Sequence, residues 1–71
     1  MSIAETLLKD HAGRKGEGGL TWFTSQDLDR LGIKDPLFNV YQDLQHALKT
    51  QRLPFAAEAL NHTDRWCLKD L

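Results

Sequence analysis

Residues 36–52 carry the strongest structural instruction in this chain. Asp35-Pro36 is a helix-start signal, an acid that can cap followed by a proline whose φ is already helical. Leu37, Val40, Tyr41, Leu44, Ala47 and Leu48 then recur three or four residues apart. That spacing predicts a helix from Pro36 to about Arg52 with one apolar stripe. Asn39, Gln42, Asp43, His46 and Lys49 fall on the opposite side. The chain has 71 residues, room for a single domain over 1–71 whose other elements must pack on that stripe. A domain of this size buries only roughly 60% of its unfolded surface, so its core is thin.

The flanking segments read as shorter elements. Ser2 and Glu5 have capping-box spacing, and Ile3, Leu7, Leu8 and Ala12 share a helical face, which predicts a first helix over about 3–12 ending at Gly13. Four glycines follow within residues 13–19, a flexible loop. Its order lacks the phosphate-cradling pattern of nucleotide-binding loops, so it reads as a connector with Arg14 and Lys15 free to touch a partner. Residues 20–24, Leu-Thr-Trp-Phe-Thr, predict a short strand. Thr24 and Asp27 have N-cap spacing for a second helix from about Ser25 to Leu31, which Gly32 ends. Residues 54–60 fit either a strand with Phe55, Ala57 and Ala59 on one face or a short helix. The strand is preferred because a helix of that length is marginal alone. Asn61-His62-Thr63-Asp64 reads as a turn and Arg65–Lys69 as a strand, which together predict a closing β-hairpin. Trp22 is expected to face Trp66 in the core, and Cys67 to point away from both its neighbours. An exposed aromatic beside Phe38 would make a small apolar patch suited to a protein partner.

Charge and cysteine content narrow the functional classes. Nine Lys and Arg oppose ten Asp and Glu, for a net charge of −1. Residues 1–34 hold five of each sign, so neither half is a basic arm or an acidic tail. The single cysteine, Cys67, cannot form an intramolecular disulfide. No apolar run approaches the ~20 residues of a membrane span, and residues 1–10 lack the signature of a secretory leader. The expectation is a cytoplasmic protein with no membrane partner. His11, His46, His62 and Cys67 lie 35, 16 and 5 residues apart, without the paired spacing of a zinc site. They read as unrelated surface histidines and a core thiol. No nucleophile, base and orienting group stand out together, so no enzyme, metal or cofactor is expected.

The predicted order is helix, strand, helix, turn, longer helix, hairpin, an α+β arrangement of three helices with a short strand and a C-terminal β-hairpin. This order resembles a winged helix-turn-helix domain. Leu28-Asp29-Arg30-Leu31-Gly32-Ile33 resembles the end of the second helix and its turn in such domains. Asn39-Val40-Tyr41-Gln42-Asp43-Leu44 is similar to the start of the recognition helix of DeoR-type and ferric-uptake-type bacterial regulators. The likeness spans about residues 3–70 and is strongest over 28–44. It departs from the family pattern at Gln42, where an arginine is usual, at Asn39, where a threonine is usual, and near Gln51, where a glycine is usual.

The resemblance implies a small transcriptional regulator that binds double-stranded DNA. Helix 36–52 would lie in the major groove, with its early residues at the base edges. Asn39 and Gln42 would read bases, since each amide can make two bonds to adenine. His46 and Lys49 would follow the groove or touch phosphate. Arg30, Lys34 and Arg65 would join Lys49 in holding phosphates, the main source of affinity for DNA. A pI near 6.2 is low for a monomeric DNA binder. Either the chain acts as a homodimer or within a complex, or DNA is not its partner. The alternative is a winged-helix protein-interaction module: an adapter, an assembly subunit or a phage-encoded inhibitor. The balanced charge, Gln42 and the carboxylate of Asp43 on the exposed face point that way.

Overall fold

The computed structural model describes residues 2–60 and 64–71. Along the chain run α1 (Ile3–Arg14), a 3-10 turn (Glu17–Gly19), β1 (Leu20–Thr24), α2 (Ser25–Arg30), α3 (Leu37–Thr50), β2 (Phe55–Ala59) and β3 (Arg65–Asp70). The strands form one antiparallel sheet in the order β1-β3-β2. The fold is thus a small α+β arrangement of three α-helices and a three-stranded antiparallel sheet. The expected turn at Asn61-His62-Thr63 lies outside the described residues.

Local chemistry sets most boundaries. Ser2 Oγ accepts the Glu5 backbone N–H at 3.2 Å and starts α1. This helix runs through the expected stop at Gly13 to Arg14. Two contacts hold its last turn: the Lys15 backbone N–H donates to His11 O at 2.8 Å, and Arg14 Nε reaches back to Asp10 at 2.7 Å. Its buried face also differs from expectation. Leu7 and His11 are buried, whereas Ala12 is exposed. Residues 3, 7 and 11 sit four apart on one row, and position 12 is turned about 100° beyond it.

At the start of α2, Asp27 Oδ2 accepts both the Thr24 backbone N–H at 2.9 Å and the Thr24 hydroxyl at 3.2 Å. Helix α3 is shorter than predicted, and its N-cap is Pro36 rather than Asp35, with no side-chain cap. Helices α2 and α3 end alike. The Ile33 N–H donates to Leu28 O at 2.9 Å, and the Leu53 N–H to Leu48 O at 3.0 Å. In each case the residue before the donor is left-handed, a Schellman-type closure. After α2 that residue is Gly32, with φ 76°; after α3 it is Arg52, with φ 52°. The glycine usual after such a helix is thus replaced by an arginine in the same backbone conformation.

Residues 55–59 are a strand, as preferred, because β3 gives them a partner. Phe55 faces Asp70, Ala57 faces Leu68 and Ala59 faces Trp66. The register of β1 corrects one expectation. Phe23, not Trp22, sits opposite Trp66, and Trp22 sits opposite Cys67. Cross-strand partners share a sheet face, so Trp22 and Trp66 are on opposite faces. The inner face carries Phe23, Trp66, Leu68 and Ala57 into the core with Leu7, Leu28, Val40 and Leu44. Phe23 and Trp66 stack at 4.8 Å between centroids. Trp66 Nε1–H donates to Leu37 O at 3.2 Å and ties the sheet to the first turn of α3.

Candidate functional site

Helix α3 presents its stripe to the core and its polar side to solvent. Leu37, Val40, Leu44 and Leu48 are buried, and Asn39, Gln42, Asp43, His46 and Lys49 are all exposed. Both edges of this surface are pinned. Trp66 holds the Leu37 carbonyl at one end. Gln45 Nε2 donates to Tyr41 Oη at 2.8 Å and to the Ala57 carbonyl at 2.9 Å, which fixes the side of α3 against β2. Phe38, in the first turn, is 41% exposed. Its ring stands edge-on to Tyr41 at 6.4 Å.

The expected phosphate contacts are dispersed. Among the described residues, no carboxylate lies within ion-pair distance of Lys34 or Lys49, and both are exposed. Arg30 is engaged elsewhere. Its two terminal nitrogens meet the two oxygens of Asp10 at 3.0 Å each, and one also reaches Asp27 at 3.4 Å. Arg14 bridges the same acids, to Asp10 at 2.7 Å and to Asp27 at 3.3 Å. The Arg30 bond is the main reason the Asp10 carboxyl is held below its usual range, with Arg14 adding to it against burial. Burial opposes ionisation of Asp27, but the Thr24 N–H and the two arginines outweigh it and lower that carboxyl too. Arg65 lies on the outer face of the sheet, its guanidinium 4.6 Å from the centroid of Trp22.

A second polar cluster went unseen in the sequence. His11 is 1% exposed rather than on the surface. Its Nδ1 is 2.6 Å from Thr21 Oγ1, and its Nε2 is 2.8 Å from Asp70 Oδ1. A carboxylate only accepts, so Nε2 carries a proton and donates to Asp70, while Nδ1 and the Thr21 hydroxyl share a hydrogen bond. Lys15 Nζ holds the other Asp70 oxygen at 2.7 Å. Lys15, and after it His11, keep the Asp70 carboxyl below its usual range. A hydroxyl, an imidazole and a carboxylate in a row have the form of a hydrolytic triad. Here Thr21 is only 3% exposed and Phe55 closes edge-on over the imidazole at 5.7 Å. Thr21 is thus covered from solvent in this arrangement. The cluster braces α1, β1 and β3 together.

The glycine-rich connector serves the same brace. Gly19 has φ 70°, and a Cβ built there would stand 2.7 Å from Asp70 Oδ2. Glycine is needed for both reasons. Lys15, expected to be free for a partner, is instead bound to Asp70, and Arg14 to Asp10 and Asp27. His46 sits alone on α3, and no group of three metal-binding side chains occurs among the described residues. His62 lies outside them. Cys67 is buried on the other sheet face from Trp66 and Leu68, as its position between them implied.

No helix of the described residues is long and apolar enough to cross a membrane. Compared with protein-family models, with curated proteins and with solved structures, the chain matches none.

Proposed function

We propose that this chain is a small winged-helix protein that binds double-stranded DNA in the major groove through α3, in the manner of a transcriptional regulator. The element order and the β1-β3-β2 sheet support the winged-helix reading. The observation that carries the functional reading is the outward side of α3, where Asn39, Gln42, His46 and Lys49 stand exposed on one rigid helix. Asn39 and Gln42 offer amides to base edges. Lys49 and Lys34, with no ion pair among the described residues, offer ammonium groups to phosphate.

A titration of labelled protein with a mixed-sequence duplex of about 20 base pairs tests this reading. Backbone amide shifts are followed at ~50 mM and ~200 mM salt, because phosphate-driven binding weakens steeply over that range. Shifts confined to α3 and the turn before it, smaller at the higher salt and reduced in the Gln42→Ala/Lys49→Ala double variant, support it. Silence at both salts overturns it.

One observation favours a protein-interaction module instead. Asp10, Asp27 and Asp70 occupy Arg14, Arg30 and Lys15, three of the nine cations that could draw in DNA. Exposed Phe38 beside Tyr41 would then be an anchor for a protein partner. Silence in the duplex titration would turn the search to that partner.

A further inference from the structure

We infer that the first two turns of α3 select A·T base pairs from the major-groove side, an inference that rests on the DNA reading above. Four side chains are exposed there: Phe38, Asn39, Gln42 and Asp43. Positions 38 and 42 share one row of the helix, and positions 39 and 43 the next, so all four look outward together. In helix-in-groove docking it is the early residues of the helix that meet base edges.

Three of the four favour an A·T pair. The amides of Asn39 and Gln42 each pair a donor with an acceptor, the complement of adenine N7 and N6. Guanine presents two acceptors, N7 and O6, which a cation reads best, and residues 37–44 contain neither Lys nor Arg. Asp43 only accepts. It can take an exocyclic amine proton from adenine or cytosine, and it repels the acceptor edge of guanine. Phe38 supplies an apolar surface to the thymine methyl group. It is held there by Tyr41, itself bonded by Gln45. Lys49, the cation of this surface, lies in the last turn and serves phosphate rather than the first bases.

Competing duplexes of equal length decide the matter by fluorescence anisotropy at fixed salt. One is rich in A·T pairs and one in G·C pairs. Two further copies of the A·T duplex carry uracil for thymine, removing the methyl group, or 7-deazaadenine for adenine, removing N7. The expected result is binding to the A·T duplex that is roughly 5- to 100-fold tighter, most of it lost with 7-deazaadenine and part of it with uracil. Phe38→Ala, a change at an exposed position, should abolish the uracil effect while leaving the 7-deazaadenine effect. Equal, salt-sensitive affinity for both duplexes overturns the inference and leaves the DNA reading standing. An A·T preference indifferent to both modified bases also overturns it, since groove shape would then be the feature read. Binding to neither duplex overturns both readings.

Discussion

The imidazole of His11 and the carboxylate of Asp70, 59 positions apart in the chain, meet at 2.8 Å and join the end of α1 to the end of β3. Thr21 closes the other side of the ring from β1. Three elements distant in sequence thus converge on one buried side chain, and the stability of the domain should respond to each partner.

Thr21→Val tests the inner half of this brace. The substitution keeps the shape of the side chain and removes the hydroxyl, leaving Nδ1 of a buried ring without a partner. We expect a loss of about 1–3 kcal/mol in urea unfolding at neutral pH. In a domain of this size each kcal/mol is worth about 4–8 °C of Tm. An unchanged midpoint would mean that solvent reaches the ring and that the brace is not closed.

The outer half governs acid stability. Lys15 and His11 lower the Asp70 carboxyl, Arg30 and Arg14 lower Asp10, and the Thr24 N–H with the arginines lowers Asp27. A carboxyl with a lowered folded value stabilises the protein above its unfolded value, and that contribution is lost as pH falls through the folded one. Stability should therefore hold down to about pH 4, where free carboxyls begin to protonate, and decline below it. Asp70→Asn should flatten part of that decline relative to the parent chain. Parallel pH profiles for the two proteins would contradict the assignment.

Two glycines should answer oppositely to alanine. At Gly19 the new Cβ meets Asp70 Oδ2 at 2.7 Å with φ at 70°, so Gly19→Ala should destabilise by about 1–3 kcal/mol. At Gly13 nothing lies within 4 Å of the place a Cβ would take, and the residue is helical. Gly13→Ala should stabilise by about 0.5–1 kcal/mol. Thermal melts of both variants are sufficient, and a shift of the same sign in both would refute the distinction.

Left-handed Arg52 predicts a gain on replacement by glycine. Its φ of 52° suits glycine, as Gly32 shows at the equivalent point after α2. Arg52→Gly should relieve local strain of about 1 kcal/mol, offset in part by the greater freedom of the unfolded chain. Arg52→Ala, which keeps the Cβ, should give no such gain. Equal stabilities for the two variants would mean that the strain is absent.

Arginine and lysine should separate in the DNA titration. Arg30 is already bonded by Asp10 and Asp27, whereas Lys49 has no ion pair among the described residues. Lys49→Ala should weaken duplex binding and reduce the salt slope by about 1. Arg30→Ala should leave both nearly unchanged, at a small cost in stability because exposed pairs contribute little. The reverse ranking would show that Arg30 leaves its acids to hold phosphate.

Local elements were readable because their causes are local. The stripe from Leu37 to Leu48, the cap at Ser2, the stop at Gly32 and the strand at 20–24 each depend on neighbours within a few positions, and each is found within one or two residues of its expected place. The outward side of α3 was legible for the same reason, since helical spacing alone assigns Asn39, Gln42, His46 and Lys49 to it.

What needed tertiary structure was every feature whose partner is remote. Residues 55–59 could be strand or helix by composition, and pairing with β3 decided for the strand. A shift of one position in the β1–β3 register would exchange Trp22 for Phe23 opposite Trp66, and nothing within Leu20–Thr24 specifies it. His11 looked like a surface histidine because its two partners, Thr21 and Asp70, come from strands that follow it in the chain. Lys15 looked free for the same reason, whereas Arg14 and Arg30 each have one acid three or four residues back and are tied across α1 and α2 by a second, Asp27 for Arg14 and Asp10 for Arg30. Sequence by itself determined which segments are helical, which are extended and which side of α3 faces water, because short-range sterics and periodicity act within a few residues. Only the tertiary structure decided which polar groups are buried and which charges are already paired, because those depend on groups that folding alone brings together.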